Sequence, residues 1–246
     1  MPDVAETIVT KLQNGERYRI GFLGDSLTSG EWVHPNWREI FEYVVKEYFA
    51  AEVDDWRLPS WGIRFYNFAF DGSTTQDWLE ILETEVLSFP PDLLIVLGTH
   101  NDYWAKIFDQ SAFNVHTVIR RSLQGGVEHV VYSPAFAGLD KTSNFRYRPI
   151  AKACLVEAKE AGAQVFDLHT AYEKLNRARF YTFTNRCDDE VTGIKAGSID
   201  TSHPNTLGNA YVAKLMLKSL FGIEFDPELY LGDLRADVKY PRWNAG

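Results

Sequence analysis

The segment Asp92–Gly98, with the sequence DLLIVLG, constrains the fold more than any other stretch of this chain. An apolar run without polar alternation is typical of a strand that is covered on both faces, as in the centre of a parallel sheet. Other apolar segments are also predicted to be strands: Tyr18–Leu23, Arg64–Phe70, Val127–Ser133 and Gln164–Leu168. We therefore expect a sheet of about five strands.

Segments with apolar residues at helical spacing separate these strands. They are Asn36–Ala50, Thr74–Ser88, Asp109–Gln124, Arg148–Ala161 and Asn205–Leu220. This alternation favours an α/β fold with a parallel, doubly wound sheet and helices on both faces. The length of 246 residues fits a single domain, which we place at residues 1–222. Residues 223–246 are predicted to pack on the surface or to meet another subunit, and Phe180–Ile199 is predicted to be a surface loop.

The composition restricts the classes of partner. The formal net charge is −9, and an acidic surface repels a phosphate backbone, so nucleic acid is an unfavourable partner. No stretch approaches the roughly 18 apolar residues of a membrane span. The N-terminus lacks the apolar segment of a signal peptide, which favours the cytoplasm unless a leader has been removed. Cys154 and Cys187 lack metal-type spacing and are interpreted as free thiols, with a single disulfide left open.

A serine follows the first predicted strand, in the sequence Gly24-Asp25-Ser26-Leu27-Thr28. In an open parallel sheet, ligands bind at the carboxyl ends of the strands, so Ser26 occupies a position suited to a nucleophile. A glycine before it permits a tight turn from strand to helix. An N-capping serine explains the same motif equally well.

A second motif, Asp200-Thr201-Ser202-His203, precedes the last strong helix. Side chains three residues apart on one turn can meet, and a carboxylate on one imidazole nitrogen leaves the other free to accept a proton from a serine. Taken alone, an N-capping turn with a surface histidine explains this motif better.

Together, the two motifs resemble the GDSL or SGNH hydrolase superfamily, which is named for a Ser, a Gly, an Asn and a His in separate blocks. The segment that follows Asn67 contains Asp71-Gly72-Ser73-Thr74 and resembles the glycine block. The segment Gly98-Thr99-His100-Asn101-Asp102 resembles the block Gly-x-Asn-Asp. It departs from that block either by one extra residue or by Thr99 in place of the glycine, which leaves its backbone geometry open.

The resemblance implies a single-domain, flavodoxin-like three-layer sandwich and a serine esterase. Ser26 would be the nucleophile, His203 the general base and Asp200 the residue that orients His203. The oxyanion would be held by the backbone N–H groups of Ser26 and Gly72 and by the Asn101 amide. No metal or organic cofactor is implied.

Several side chains near these motifs are candidates for contact with a substrate: Asp25, Trp32, His34, His100, Tyr103 and Trp104. For His100 a structural hydrogen bond is the favoured interpretation, and for Trp32 and His34 an ordinary loop role is favoured. Aromatic side chains stack on sugars but more often fill cores.

The implied substrate is a small-molecule ester, with a slight preference for a carbohydrate O-acetyl ester. A lysophospholipase or thioesterase stays an alternative, as does an inactive α/β binding module, and a homo-oligomer is left open. Thr28 replaces the final glycine of the Gly-x-Ser-x-Gly elbow of α/β-hydrolases, and no Gly-x-Gly-x-x-Gly follows the first strand, which disfavours a dinucleotide-binding fold.

Overall fold

The computed structural model describes residues 4–188 and 194–246, and its centre is a parallel sheet of five strands. The strands are β1 (Tyr18–Gly24), β2 (Ile63–Asn67), β3 (Leu93–Gly98), β4 (His129–Pro134) and β5 (Gln164–Val165). Their order across the sheet is β2-β1-β3-β4-β5. The parallel α/β sheet predicted from the sequence is confirmed.

Helices precede, connect and follow these strands. The α-helices are α1 (Val4–Gln13), α2 (Ser26–Ser29), α3 (Trp37–Glu52), α4 (Arg57–Gly62), α5 (Thr75–Ile81), α6 (His100–Trp104), α7 (Phe108–Gln124), α8 (Lys141–Glu160), α9 (Leu168–Glu173), α10 (Thr206–Phe221) and α11 (Pro227–Arg235). A π-helical turn, Leu82–Val86, continues α5. No helix among the described residues combines the length and the apolar character that crossing a membrane requires.

The central strand β3 is buried along its whole length, as its apolar run predicts. Leu93, Ile95 and Leu97 face one apolar core, which contains residues of α3 and α10. Leu94 and Val96 face a second core, which contains residues of α5, α7 and α8. Because successive side chains of a strand point to opposite faces, β3 joins the two cores into a three-layer sandwich.

The strand order reverses between β1 and β3. The chain runs from β1 to the edge strand β2 and then crosses back to β3, on the other side of β1. In open α/β sheets, the crevice for ligands lies at such a switch point, beyond the carboxyl ends of the strands. The register pairs Gly24 with Leu97, so β1 and β3 end side by side at this crevice.

Some element boundaries differ from the predicted ones. Helix α8 begins at Lys141, seven residues before the predicted start at Arg148, because Asp140 caps it by accepting hydrogen bonds from Thr142 and Ser143 N–H. Pro149 is tolerated within this helix. Strand β5 is shorter than predicted because Asp167 caps the next helix, α9, through Thr170 N–H. A capping side chain can begin a helix several residues before the apolar periodicity of that helix becomes visible in the sequence.

The C-terminal residues 223–246 include α11, which was not predicted. Tyr230 and Leu231 of this helix belong to the core that also contains α3 and α10. The Tyr43 hydroxyl of α3 donates a hydrogen bond to the Pro241 carbonyl oxygen. This segment therefore packs on the domain, whereas the division at residue 222 stays a prediction.

The two cysteines are both free: Cys154 is buried in α8, and Cys187 is exposed. Cys187 lies in the predicted surface loop Phe180–Ile199. Within that loop, Thr184 and Ile199 form an isolated antiparallel bridge, and residues 189–193 lie outside the described part of the chain.

Candidate active site

Ser26 is the first residue of the short helix α2, directly beyond β1. Gly24 is needed here for a reason other than turn flexibility, since a Cβ at this position would lie 2.4 Å from the Leu97 carbonyl oxygen of β3. Asp25 caps α2 by accepting a hydrogen bond from Leu27 N–H. Gly30 ends the helix with a φ of 92°, a left-handed conformation that favours glycine.

The Ser26 hydroxyl and the His203 imidazole are in hydrogen-bonding contact although they are 177 residues apart in sequence. Ser26 Oγ lies 3.0 Å from His203 Nε2. His203 Nδ1 lies 2.8 Å from Asp200 Oδ2. This connected chain of three groups has the geometry in which an imidazole can take a proton from a serine hydroxyl.

The Asp200 carboxylate is held by its own turn. Its Oδ1 accepts hydrogen bonds from Ser202 N–H at 2.8 Å and His203 N–H at 3.0 Å. Burial alone would raise the pKa of Asp200, but these hydrogen bonds and the His203 side chain lower it below its ordinary value. Asp200 is therefore ionised at neutral pH and fixes the orientation of the ring. The alternative interpretation, an N-capping turn with a surface histidine, does not hold, because α10 is capped by Asn205 and the His203 side chain is only 16% exposed.

Gly72 and Asn101 follow the two strands that flank β1: Gly72 comes after β2, and Asn101 comes after β3. Gly72 is exposed and has a φ of 73°, and a Cβ there would meet nothing within 4 Å. Backbone conformation, not space, therefore favours glycine at this position. The Asn101 side chain donates a hydrogen bond to the Ser73 carbonyl oxygen at 3.0 Å, and the Ser73 hydroxyl donates to the Gly24 carbonyl oxygen. These bonds tie the three loops together around Ser26.

The residue that departs from the family pattern is Thr99. It has a φ of 85°, in the left-handed region that β-branched residues rarely adopt. The structure thus supports Thr99 in place of the glycine. Asn101 is further positioned by the next residue, Asp102, whose buried carboxylate accepts hydrogen bonds from the backbone N–H and the hydroxyl of Thr75.

Comparison with known proteins decides the family. The family model of GDSL-like lipases and acylhydrolases matches residues 22–211. The chain belongs to the GDSL-like lipase/acylhydrolase family. It is accordingly a hydrolase that acts on ester bonds. No curated protein matches the chain.

Solved structures share the fold of this family member at low sequence identity. A catalytic mutant of Axe2, an acetylxylan esterase from Geobacillus stearothermophilus, is 15% identical with a TM-score of 0.62, covering 84% of this chain and 95% of that one. Another Axe2 mutant, of an enzyme described as an acetyl-xylooligosaccharide esterase, is 16% identical, with the same TM-score and coverage. LAE5, an alpha/beta hydrolase from the metagenome of Lake Arreo, Spain, is 14% identical with a TM-score of 0.60, covering 83% and 95%.

Asp25, a candidate for substrate contact, is buried with a relative exposure of 1%. One carboxylate oxygen caps α2, and the other, Oδ2, has no hydrogen-bond partner among the described residues. Burial is the main cause that raises the pKa of Asp25 to about 7. The carboxyl lies behind the nucleophile turn, so it supports the turn and does not line the substrate surface.

Trp32 has a more specific place than an ordinary loop residue. Its indole stacks on the His203 imidazole with ring centroids 4.2 Å apart and planes 3° apart. The indole Nε1–H donates a hydrogen bond of 2.6 Å to Asp71. The sequence analysis assigned no role to Asp71, although its position directly before Gly72 in the glycine block was a usable signal. By contrast, His34 is exposed at the surface and pairs with Glu39.

His100 and Trp104 line a cavity of about 410 Å³ beside the Asp200–His203 turn. The ring of His100 packs edge-on against Trp104 and Tyr147, and the predicted structural hydrogen bond of this ring is not found in the described part of the chain. Burial lowers the pKa of His100 to about 4, so this ring is neutral at neutral pH. Tyr103 does not itself line this cavity; its ring packs edge-on against Trp104, and its hydroxyl lies 3.4 Å from Arg146 Nη1.

Within residues 4–188 and 194–246, no three His, Cys, Asp or Glu side chains are grouped as metal ligands would be. Near Ser26, Asp200 and His203 form the hydrogen-bonded chain, and Asp25 and Asp71 hold helix α2 in place beside it. The described site therefore contains a hydroxyl, an imidazole base and an ionised carboxylate that are joined by hydrogen bonds, at the carboxyl edge of the sheet.

Proposed function

We propose that the chain hydrolyses small acyl esters, specifically the O-acetyl esters of carbohydrates, through an acyl-enzyme on Ser26. The observation that carries this proposal is the unbroken contact from Asp200 through His203 to Ser26 Oγ. An inactive binding module would have no need of it.

In the proposed reaction, Ser26 Oγ attacks the ester carbonyl carbon while His203 Nε2 takes the hydroxyl proton. His203 then gives that proton to the leaving alcohol oxygen, and the acyl group remains on Ser26. Water attacks the acyl-enzyme by the same route, releasing the carboxylic acid and restoring the serine. Asp200 keeps the ring in the tautomer that exposes Nε2 as the acceptor.

The tetrahedral intermediates carry negative charge on the former carbonyl oxygen. The backbone N–H groups of Ser26 and Gly72 and the Asn101 amide are the proposed donors to that oxygen. The bonds from Asn101 to Ser73 and from Ser73 to Gly24 fix the donors in advance. Such preorganised donors stabilise developing charge without the cost of reorienting solvent.

The cavity that directly contacts Ser26 is small. It lies against Ser26, Trp32 and His203 and has a volume of about 10 Å³, which is the size needed for about one water molecule. It provides no preformed room for an acyl chain, so the acyl group of a substrate must occupy the more open space around it. The choice of an acetyl ester over the lysophospholipid and long-chain thioester alternatives therefore rests on the larger cavity and on the activity test below.

The larger cavity supports a polar alcohol. Its lining combines an aromatic side chain, Trp104, with polar groups that suit sugar hydroxyls: Asp140, Ser143, Asn144, Ser198 and Ser202. Similarity in fold to acetylxylan esterase Axe2 is consistent with such a substrate. The cytoplasmic location and the homo-oligomer considered from the sequence stay predictions, which cell fractionation and light scattering would test.

The test compares 4-nitrophenyl esters from acetyl to palmitoyl and measures acetate release from acetylated xylosides. We expect activity on acetyl esters to dominate and Ser26→Ala and His203→Ala to lose it, with losses on the order of a million-fold. Ser60→Ala, in helix α4, is the matched control and should retain activity. A fluorophosphonate probe should label wild type and not Ser26→Ala. Preference for palmitoyl esters would overturn the substrate class, and full activity in Ser26→Ala would overturn the mechanism.

A further inference from the structure

We propose that Trp32, braced by Asp71, is a positioning residue that holds the His203 imidazole toward Ser26. The nearly parallel stack, with planes 3° apart, covers one face of the imidazole. The ring's two nitrogens are already engaged by Asp200 and Ser26. This inference rests on the proposed role of His203 as the base.

The indole is itself fixed by a carboxylate. Asp71 accepts a 2.6 Å hydrogen bond from Trp32 Nε1–H through one oxygen and a 2.6 Å hydrogen bond from the Ser29 hydroxyl through the other. Ser29 ends α2, the helix that begins with the nucleophile. One carboxylate therefore ties the histidine's stacking partner to the serine's own helix.

Covering one face of His203 restricts rotation of the ring out of the plane that aims Nε2 at Ser26. Trp32 is 52% exposed, so a solvated indole would lie in this position only if local contacts favoured it. The stack and the bond to Asp71 supply those contacts. The base is therefore already oriented for proton transfer, which lowers the entropic cost of reaching the reactive geometry.

Stacking also acts on charge, because in the proposed reaction His203 gains a positive charge when it takes the serine proton. An indole face attracts a cation, and the negative Asp71 at the indole N–H increases the electron density of that face. The other charged or titratable groups that act on His203 are Asp200 on its own turn, Asp25 behind the nucleophile and His100 at the start of α6. Trp32 is thus expected to stabilise the transition state more than the ground state.

The test measures kcat and KM of Trp32→Leu, Trp32→Phe and Asp71→Asn on 4-nitrophenyl acetate and on an acetylated xyloside. For Trp32→Leu we expect kcat to fall about 10-fold on both esters with little change in KM. A tenfold loss of rate corresponds to about 1.4 kcal/mol of transition-state stabilisation. Trp32→Phe keeps an aromatic stack and should recover most of the rate. Asp71→Asn should lie between Trp32→Leu and wild type.

Fluorophosphonate labelling separates positioning from substrate binding, because the probe needs the activated serine but no sugar contact. Its rate should fall in Trp32→Leu in parallel with kcat. The control is Trp61→Leu, which replaces an exposed tryptophan that lies in helix α4, and it should leave both rates unchanged. A loss confined to KM for the xyloside, with normal labelling, would make Trp32 a sugar contact and overturn the proposal. Activity in Ser26→Ala would instead refute the proposed function itself.

Discussion

The Tyr147 hydroxyl oxygen lies 2.5 Å from Thr99 Oγ1, and this contact anchors a β-branched residue in a left-handed backbone conformation. The same hydroxyl donates to the Gly98 carbonyl oxygen and accepts from Ala135 N–H. Strained backbone of this kind costs about 1 to 3 kcal/mol and persists only where surrounding contacts impose it. Tyr147 of α8 therefore sets the turn that places Asn101 beside the nucleophile.

Replacing Tyr147 by Phe should relax this turn. We expect the free energy of unfolding to fall by about 1 to 3 kcal/mol, because buried polar groups lose a partner, and esterase activity to fall with it. Urea unfolding and kcat on 4-nitrophenyl acetate are the measurements. Tyr132→Phe is the control, since that hydroxyl lies 3.4 Å from Thr99 Oγ1. Equal losses in the two variants would argue against a specific role for Tyr147.

Asp25→Asn should change how stability depends on pH. Burial, the main cause, raises the pKa of Asp25 to about 7 in the folded protein, whereas an unfolded aspartate titrates near 4. The folded state thus binds the proton more tightly, and this group's contribution to the free energy of unfolding falls as the pH rises from about 4 to about 7. Asn cannot ionise but keeps an oxygen to cap Leu27 N–H.

Relative to wild type, Asp25→Asn should therefore gain about 2 to 4 kcal/mol of stability between pH 4 and pH 8, since one pKa unit corresponds to about 1.4 kcal/mol. Urea unfolding at both pH values measures this gain. Asp140→Asn is a matched control, because Asp140 also caps a helix but has a pKa lowered by hydrogen bonds from Ser143. Its difference from wild type should change in the opposite direction. A gap for Asp25→Asn that is independent of pH would contradict the prediction.

Gly24→Ala tests the close approach of β1 and β3. A Cβ there would lie 2.4 Å from the Leu97 carbonyl oxygen, which is backbone and cannot move aside. We expect a loss of stability of about 3 kcal/mol or more, at the upper end of single-substitution effects. Gly15→Ala is the control: it has a φ of 74° and open space around it, so only the backbone cost of about 1 to 2 kcal/mol applies. Thermal unfolding midpoints in the reverse order would refute this account.

Asn101→Ala tests the proposed oxyanion donor. Removal of one donor typically lowers the rate by about 100- to 1,000-fold, so the variant should retain activity that Ser26→Ala lacks. Steady-state kcat on 4-nitrophenyl acetate is the measurement, with Asn14→Ala at the end of α1 as the control. A kcat within a fewfold of wild type would remove Asn101 from the proposed oxyanion site.

Much of this fold could be predicted because its signals are local. The apolar run of β3 and the helical spacing of α3, α7 and α10 are visible within single segments. Asp140 shows the limit of that approach, since a capping carboxylate begins α8 well before its apolar pattern does. The short helices α4 and α6 also escaped prediction, because a turn or two of helix contains too few residues to establish a period.

The sequence by itself determined the alternation of strands and helices and placed Ser26, Gly72, Asn101 and His203 at the same edge of the sheet, although Ser26 and Asn101 lie in short helices and not in the predicted loops. The tertiary structure decided which of these side chains meet, because the distance between Ser26 and His203 depends on strand order and on how α10 packs. It also decided that Asp25 is buried and that Trp32 stacks on His203. Contacts between distant segments depend on the whole arrangement of the sheet and its helices, and no local pattern of residues records them.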